Sequence, residues 1–167
     1  MGLLAKIFGR APGRKPSGIR LDTDRPFWEL TGDIDFPSLL IALPDLLPEE
    51  SVLCFEDGSP SGELLGFLRA HEIPERAHVA CGTIPRPTVF HIPAEPGTMR
   101  LLAGLMSSRA YPELAIHFHV YHDQSILLEW HDAFTQPMLL SGELPEAKMR
   151  TFAAELRMSL KRAWFDA

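Results

Sequence analysis

The sequence predicts a single α/β domain built on a mixed sheet of five to six strands, and three observations carry that expectation. Short apolar or alternating runs recur between stretches of helical periodicity from residue 27 to about residue 83. Two β-rich segments then abut across a tight turn, which only antiparallel strands can do. An amphipathic stretch from Pro145 to about Phe165 follows. The order reads β-α-β-α-β-β-α-β-β-α, with about four helices flanking the sheet over much of both faces.

Phe27 to Thr31 is the first strand. Asp33 or Asp35 suits the cap of a helix over Phe36 to Leu47, which Pro44 should end or kink. Ser51 to Phe55 is a compact apolar run between acidic residues, the profile of a central strand covered on both faces. Ser59 as N-cap with Pro60 at the first helical position opens a helix to His71. His78 to Thr83 forms a third strand, and right-handed crossovers would lay these first strands parallel. Thr88 to Ile92 follows with no helix between, so a purely doubly wound fold fails there. Pro96-Gly97 introduces a helix from about Thr98 to Arg109, and Leu114 to His122 with Ser125 to Phe134 make a hairpin. In the closing helix, Met149, Phe152, Ala153, Leu156, Leu160, Ala163 and Trp164 repeat at helical spacing, and Lys161-Arg162 suit its last turn.

A chain of 167 residues is the size of one domain with its own core. Its apolar share of 46% and charged share of 23% exclude the disordered class, and no apolar run reaches the length of a membrane span. The expected division is a flexible basic leader over residues 1–20 and one domain over 21–167. Lys6, Arg10, Arg14, Lys15 and Arg20 stand in that leader without an acid, while the whole chain carries −6. Such a leader attracts anionic surfaces weakly, and an acidic body disfavours a dedicated nucleic-acid binder. Met1 to Ala5 begin like a signal peptide, but Lys6 and Pro12 leave no hydrophobic region, so the expected compartment is the cytoplasm. Cys54 and Cys81 lie in apolar runs and read as buried core thiols. Trp28, Trp130 and Trp164 fall on or near apolar faces and read as packing residues.

The hairpin holds the one constellation with chemical content. Ile116, Phe118 and Val120 share a face of its first strand, leaving His117, His119 and Tyr121 on the other. Ile126, Leu128 and Trp130 share a face of the second, with Glu129 and His131 opposite. A three-residue loop, Asp123-Gln124-Ser125, matches the apolar faces and sets Phe118 across from Trp130, Val120 from Leu128, His119 from Glu129 and His117 from His131. Directly opposed Cβ atoms lie about 4.5 to 5.5 Å apart, so three imidazoles and a carboxylate converge. His117, His119 and His131 then make a workable zinc ligand set with an open position, and Glu129 can orient a ligand or take a proton. A half-solvated antiparallel hairpin gives the same alternation with no metal, and no other cofactor is expected.

A second candidate is the loop of Glu56, Asp57, Ser59 and Ser61 at the carboxyl end of the expected central strand, where open parallel sheets place ligands. Its acids repel phosphate, and neither a Walker nor a GxGxxG pattern is present. No GxSxG elbow or paired cysteine nucleophile occurs. The resulting expectation is a non-enzymatic binding, adaptor or regulatory module whose partner is another protein or a small ligand. The rival is a zinc-dependent hydrolase or lyase using the histidine face.

Overall fold

The computed structural model describes residues 18–80, 87–132, 135 and 137–164. Among these residues seven strands form one sheet: β1 (Phe27–Thr31), β2 (Val52–Glu56), β3 (Val89–Pro93), β4 (His117–His122), β5 (Ser125–Trp130), β6 (Met138–Leu140) and β7 (Ser159–Ala163). Five helices accompany it: α1 (Phe36–Leu46), α2 (Gly62–His71), α3 (Pro96–Met106), the single turn α4 (Tyr111–Leu114) and α5 (Glu146–Glu155).

The strand order is β3-β2-β4-β5-β6-β1-β7, and every neighbouring pair is antiparallel. This corrects the mixed sheet with parallel leading strands. β1 and β2 do run the same way, as a helical crossover requires, but β4, β5 and β6 lie between them. Their parallel relation is therefore never a hydrogen-bonded one. A connecting helix in the sequence marks a crossover without stating how many strands it spans.

All four longer helices pack on one face. Leu39 and Leu43 of α1, Leu64 of α2, Met99 of α3 and Phe152 of α5 share a cluster with Trp28, Leu53, Phe55, Phe118 and Leu128 of the sheet. Strand residues of opposite parity, Phe27, Val52, Cys54 and Tyr121, form a smaller cluster completed by Leu21, Ala77 and Val79 from loops. Among the described residues the expectation of helices on both faces gives way to two layers plus a loop cover, a standard solution for an antiparallel sheet. The cover explains why all five residues of β2 are buried, as a strand shielded on both sides should be.

The covering segments also account for the expected strand at His78 to Thr83. Its described part makes a lone parallel bridge between Val79 and Ile19, with Ile19 N–H donating to His78 O at 2.7 Å and Ala80 N–H to Ile19 O at 3.0 Å. Cys81 to Thr83 lie outside the described residues, as do residues 1–17 of the leader. Gly18 to Arg20, its last three residues, lie on this helix-free face.

Local chemistry shifts several boundaries. Asp35 caps α1, accepting from Ser38 N–H at 3.1 Å, and the helix runs through Pro44 because Leu47 N–H still reaches Leu43 O at 3.1 Å. α2 starts at Gly62 behind Ser61, not at Pro60, since Ser59 N–H is held by Pro112 O at 3.3 Å. Gly58 makes this docking possible: a Cβ there would stand 2.0 Å from Leu114 O. The hairpin keeps the expected pairs Phe118 with Trp130, His119 with Glu129 and Val120 with Leu128, but its loop is Asp123-Gln124 alone, with His122 opposite Ser125. Asp123 adopts φ 50°, as a tight hairpin turn demands. A bulge at Val120/Tyr121 takes up the extra residue and turns Ile126 to the helix-free face, away from Leu128.

The largest correction is at the C-terminal end, where the expected helix to Phe165 stops at Glu155 and β7 follows. Arg157 sits at φ 55°, its N–H donating to Ala154 O at 3.1 Å while Met158 N–H donates to Ala153 O at 2.8 Å. This is a Schellman stop with arginine where glycine is usual, so the sequence carries no terminator. Trp164 beyond β7 is 62% exposed and is not a core residue. Arg157→Gly should raise stability by about 0.5–1 kcal/mol in urea denaturation, because glycine occupies the left-handed region without a Cβ penalty. A loss of stability on that substitution would mean the chain does not turn there.

Candidate functional site: a histidine–carboxylate cluster on the helix-free face

Alternation along three adjacent strands delivers the cluster. Cys54 and Glu56 of β2, His117 and His119 of β4, and Glu129 of β5 all point away from the helices, with His131 one residue beyond β5. Register aligns them in two rows: Cys54, His119 and Glu129 in one, Glu56 and His117 in the other. Ile116 N–H extends the β2 pairing by donating to Glu56 O at 2.9 Å, which fixes the open end of the site.

His119 is buried at 2% exposure, with Nε2 3.8 Å from Glu56 Oε1 and Nδ1 without a hydrogen-bond partner. Glu56 is equally buried, and the Cys54 thiol donates to its Oε1 at 3.7 Å. Glu129 divides its oxygens between two partners. Oε1 accepts Leu21 N–H at 2.8 Å, and Oε2 lies 3.5 Å from His131 Nε2. His131 Nδ1 in turn lies 3.2 Å from His117 Nδ1. The result is a continuous polar path from a buried carboxylate to the half-buried His117 and His131 at the mouth.

Electrostatics divides these groups by depth. Burial, with His131 and His117 nearby and only partly offset by Glu129, pushes the His119 pKa down to about 3, so His119 is neutral. His117 is lowered in the same direction by burial and by His131, against the opposing pull of Asp132 and Asp57. For Glu129 burial acts upward, but the hydrogen bond from His131 and that from the Leu21 N–H help to outweigh it and hold the carboxyl below its ordinary range. A carboxylate that stays charged beside a buried, neutral His119 is suited to orienting an imidazole N–H.

All four histidine and glutamate candidates from the hairpin therefore stand on one face. Among the described residues, no group of three or more His, Cys, Asp or Glu side chains is spaced to hold a metal ion. The second candidate separates. Glu56 belongs to the histidine cluster, whereas Asp57, Ser59 and Ser61 are exposed in the following loop, with Asp57 at φ 59°. The positional reason for that loop also fails, because the sheet has no parallel switch point.

Sequence reasoning missed two features. Grouping Glu56 with the loop after it overlooks its period-2 relation to Cys54, which places it on the strand face. A separate buried pair, His91 Nδ1 with Tyr121 Oη at 3.0 Å, lies toward the other end of the strands, where Arg76 N–H donates to the same phenol at 3.3 Å. His91 also lines a groove of about 540 Å³ with Arg69, Glu72 and Glu75. Only three-dimensional packing brings these distant segments together.

Compared with protein-family models, curated proteins and solved structures, the chain matches none. The functional reading rests on the site itself.

The buried neutral His119 makes stability depend on pH in a definite direction. Above about pH 6.5 both folded and unfolded states leave it neutral. Below that the unfolded chain takes up a proton that the folded chain refuses until about pH 3, so stability falls with falling pH. Lowering pH from 7.5 to 5.5 should cost about 1.4 kcal/mol through this residue, and His117 adds to the loss in the same sense. Denaturation midpoints across that range should flatten in His119→Gln. An equally steep curve in that variant would show that His119 is not a buried neutral group.

Proposed function

We propose that the chain is a non-catalytic cytoplasmic binding module, of an adaptor or regulatory kind, that engages another protein or a small ligand through the His117–His131 mouth. The observation that carries this reading is the graded exposure of the cluster. His131 has a side chain 34% exposed, whereas Glu129, Glu56 and His119 behind it are 15%, 1% and 3% exposed. Polar groups fixed from below by buried partners and open from above are preorganised, so little ordering cost falls on the binding step. The strands beneath, β4 and β5, are in the interior of the sheet and paired on both sides. No helix of the described residues is long and apolar enough to cross a membrane.

The test is a comparison of partners recovered on immobilised protein. His117→Asn and His131→Asn should each lower the affinity of a specific partner at least tenfold, while Ile41→Ser, on the exposed side of α1, should leave it unchanged. With the purified pair, backbone NMR shifts should concentrate on β4, β5 and the mouth. A partner whose affinity ignores both histidines, or turnover of a small molecule by the purified protein, would overturn the reading.

A further inference from the structure

We propose that the chain's own basic leader docks in the groove beside β3, with Leu3, Leu4, Ile7 and Phe8 on the groove's apolar walls. The groove lies at an edge of the sheet, outside the histidine mouth, so the proposal does not rest on the binding-module reading. Among the described residues β3 is a terminal strand of the order. Ile73 N–H donates to His91 O at 2.8 Å from beyond that edge, so His91 turns its main-chain groups away from β2. Val89, two residues earlier in an unbroken antiparallel register, turns its N–H and C=O the same way. Val89 and His91 line one side of the groove, and Glu72, Ile73 and Glu75 line the other. A terminal strand with outward main-chain groups beside a partly apolar groove is a template for an added extended segment.

The course of the chain at Gly18 names the occupant. Ile19 pairs with Val79 through a parallel bridge, so the chain before Ile19 heads the same way as the chain before Val79, toward Arg76 and Glu75 and hence toward the groove wall. Gly18 holds that course at close quarters, since a Cβ on it would stand 2.6 Å from Ala80 N. Ile19 also packs on the same small apolar cluster as Ile73 and Val89. From Gly18 back to Phe8 is about ten residues, which extend to about 33 Å at most, ample to reach a groove whose wall begins at Glu75. Charge agrees. Residues 1–17 carry Lys6, Arg10, Arg14 and Lys15 and no acid, on a chain of net charge −6. Glu72 and Glu75 stand at the groove against Arg69, and Ile73 and Val89 offer apolar contact to a segment that is both basic and apolar. A short tether holds the leader at an effective concentration of about millimolar, which favours a chain's own leader over that of a second copy.

In NMR spectra of the full chain, nuclear Overhauser contacts should join Ile7 and Phe8 to Ile73 and Val89, and they should persist on dilution. Phe8→Asp should remove them and speed hydrogen exchange at the Val89 amide about tenfold or more. Glu72→Lys combined with Glu75→Lys should do the same, because the leader's cations are then repelled from the groove. Leu101→Ser, on the exposed side of α3, should change neither reading. The contacts in the unaltered chain decide the matter even where a variant fails to fold. Their absence, or contacts that fade on dilution and so come from a second copy, would overturn the proposal.

Discussion

The carboxylate of Glu129 ties together the parts of the helix-free face that chain connectivity leaves separate. One oxygen holds the backbone of Leu21, from the segment that crosses the sheet before β1, and the other faces the imidazole of His131. Without that pairing the covering segment loses a polar anchor and the histidine pair at the mouth loses its support. A buried carboxylate is costly unless its lone pairs are met, and here backbone and imidazole meet them together. The face is therefore more than the solvated side of a two-layer sheet.

The constraint arises from how the helices are placed. Among the described residues all four longer helices lie on one side, and the other side of the seven-stranded sheet is shielded by loops or left polar. Both solutions are used. Leu21, Ala77 and Val79 shield the end of the strands that carries Val52 and Tyr121, and the histidine–carboxylate cluster occupies the end that carries Glu56 and His117. Glu129 lies where the two regimes meet, which is why its state bears on both.

Much of this was legible in the residues, and what was not has physical reasons. β1 and the central pairs of the β4–β5 hairpin follow from alternation alone, because a slip of one residue would exchange Phe118 with a histidine. The meeting of His117, His119, Glu129 and His131 on one face was legible for the same reason. Strand direction was not, because antiparallel and parallel neighbours read alike when loops bury the second face of β2. β7 was hidden by Leu160 and Ala163, which keep helical spacing with α5, and by an arginine where a glycine would have announced the stop. Glu56 was legible as a strand residue, but its approach to His119 depends on β2 and β4 being neighbours, which follows from long-range topology.

The claim that Glu129 joins the covering segment to the histidine cluster is tested most directly by hydrogen exchange at the Leu21 amide. That amide should be strongly protected near neutral pH and should lose most of its protection in Glu129→Gln, while amides in the centre of β4 keep theirs. Exchange at the rate of an unstructured peptide in the unaltered protein, or protection that survives Glu129→Gln undiminished, would contradict the account.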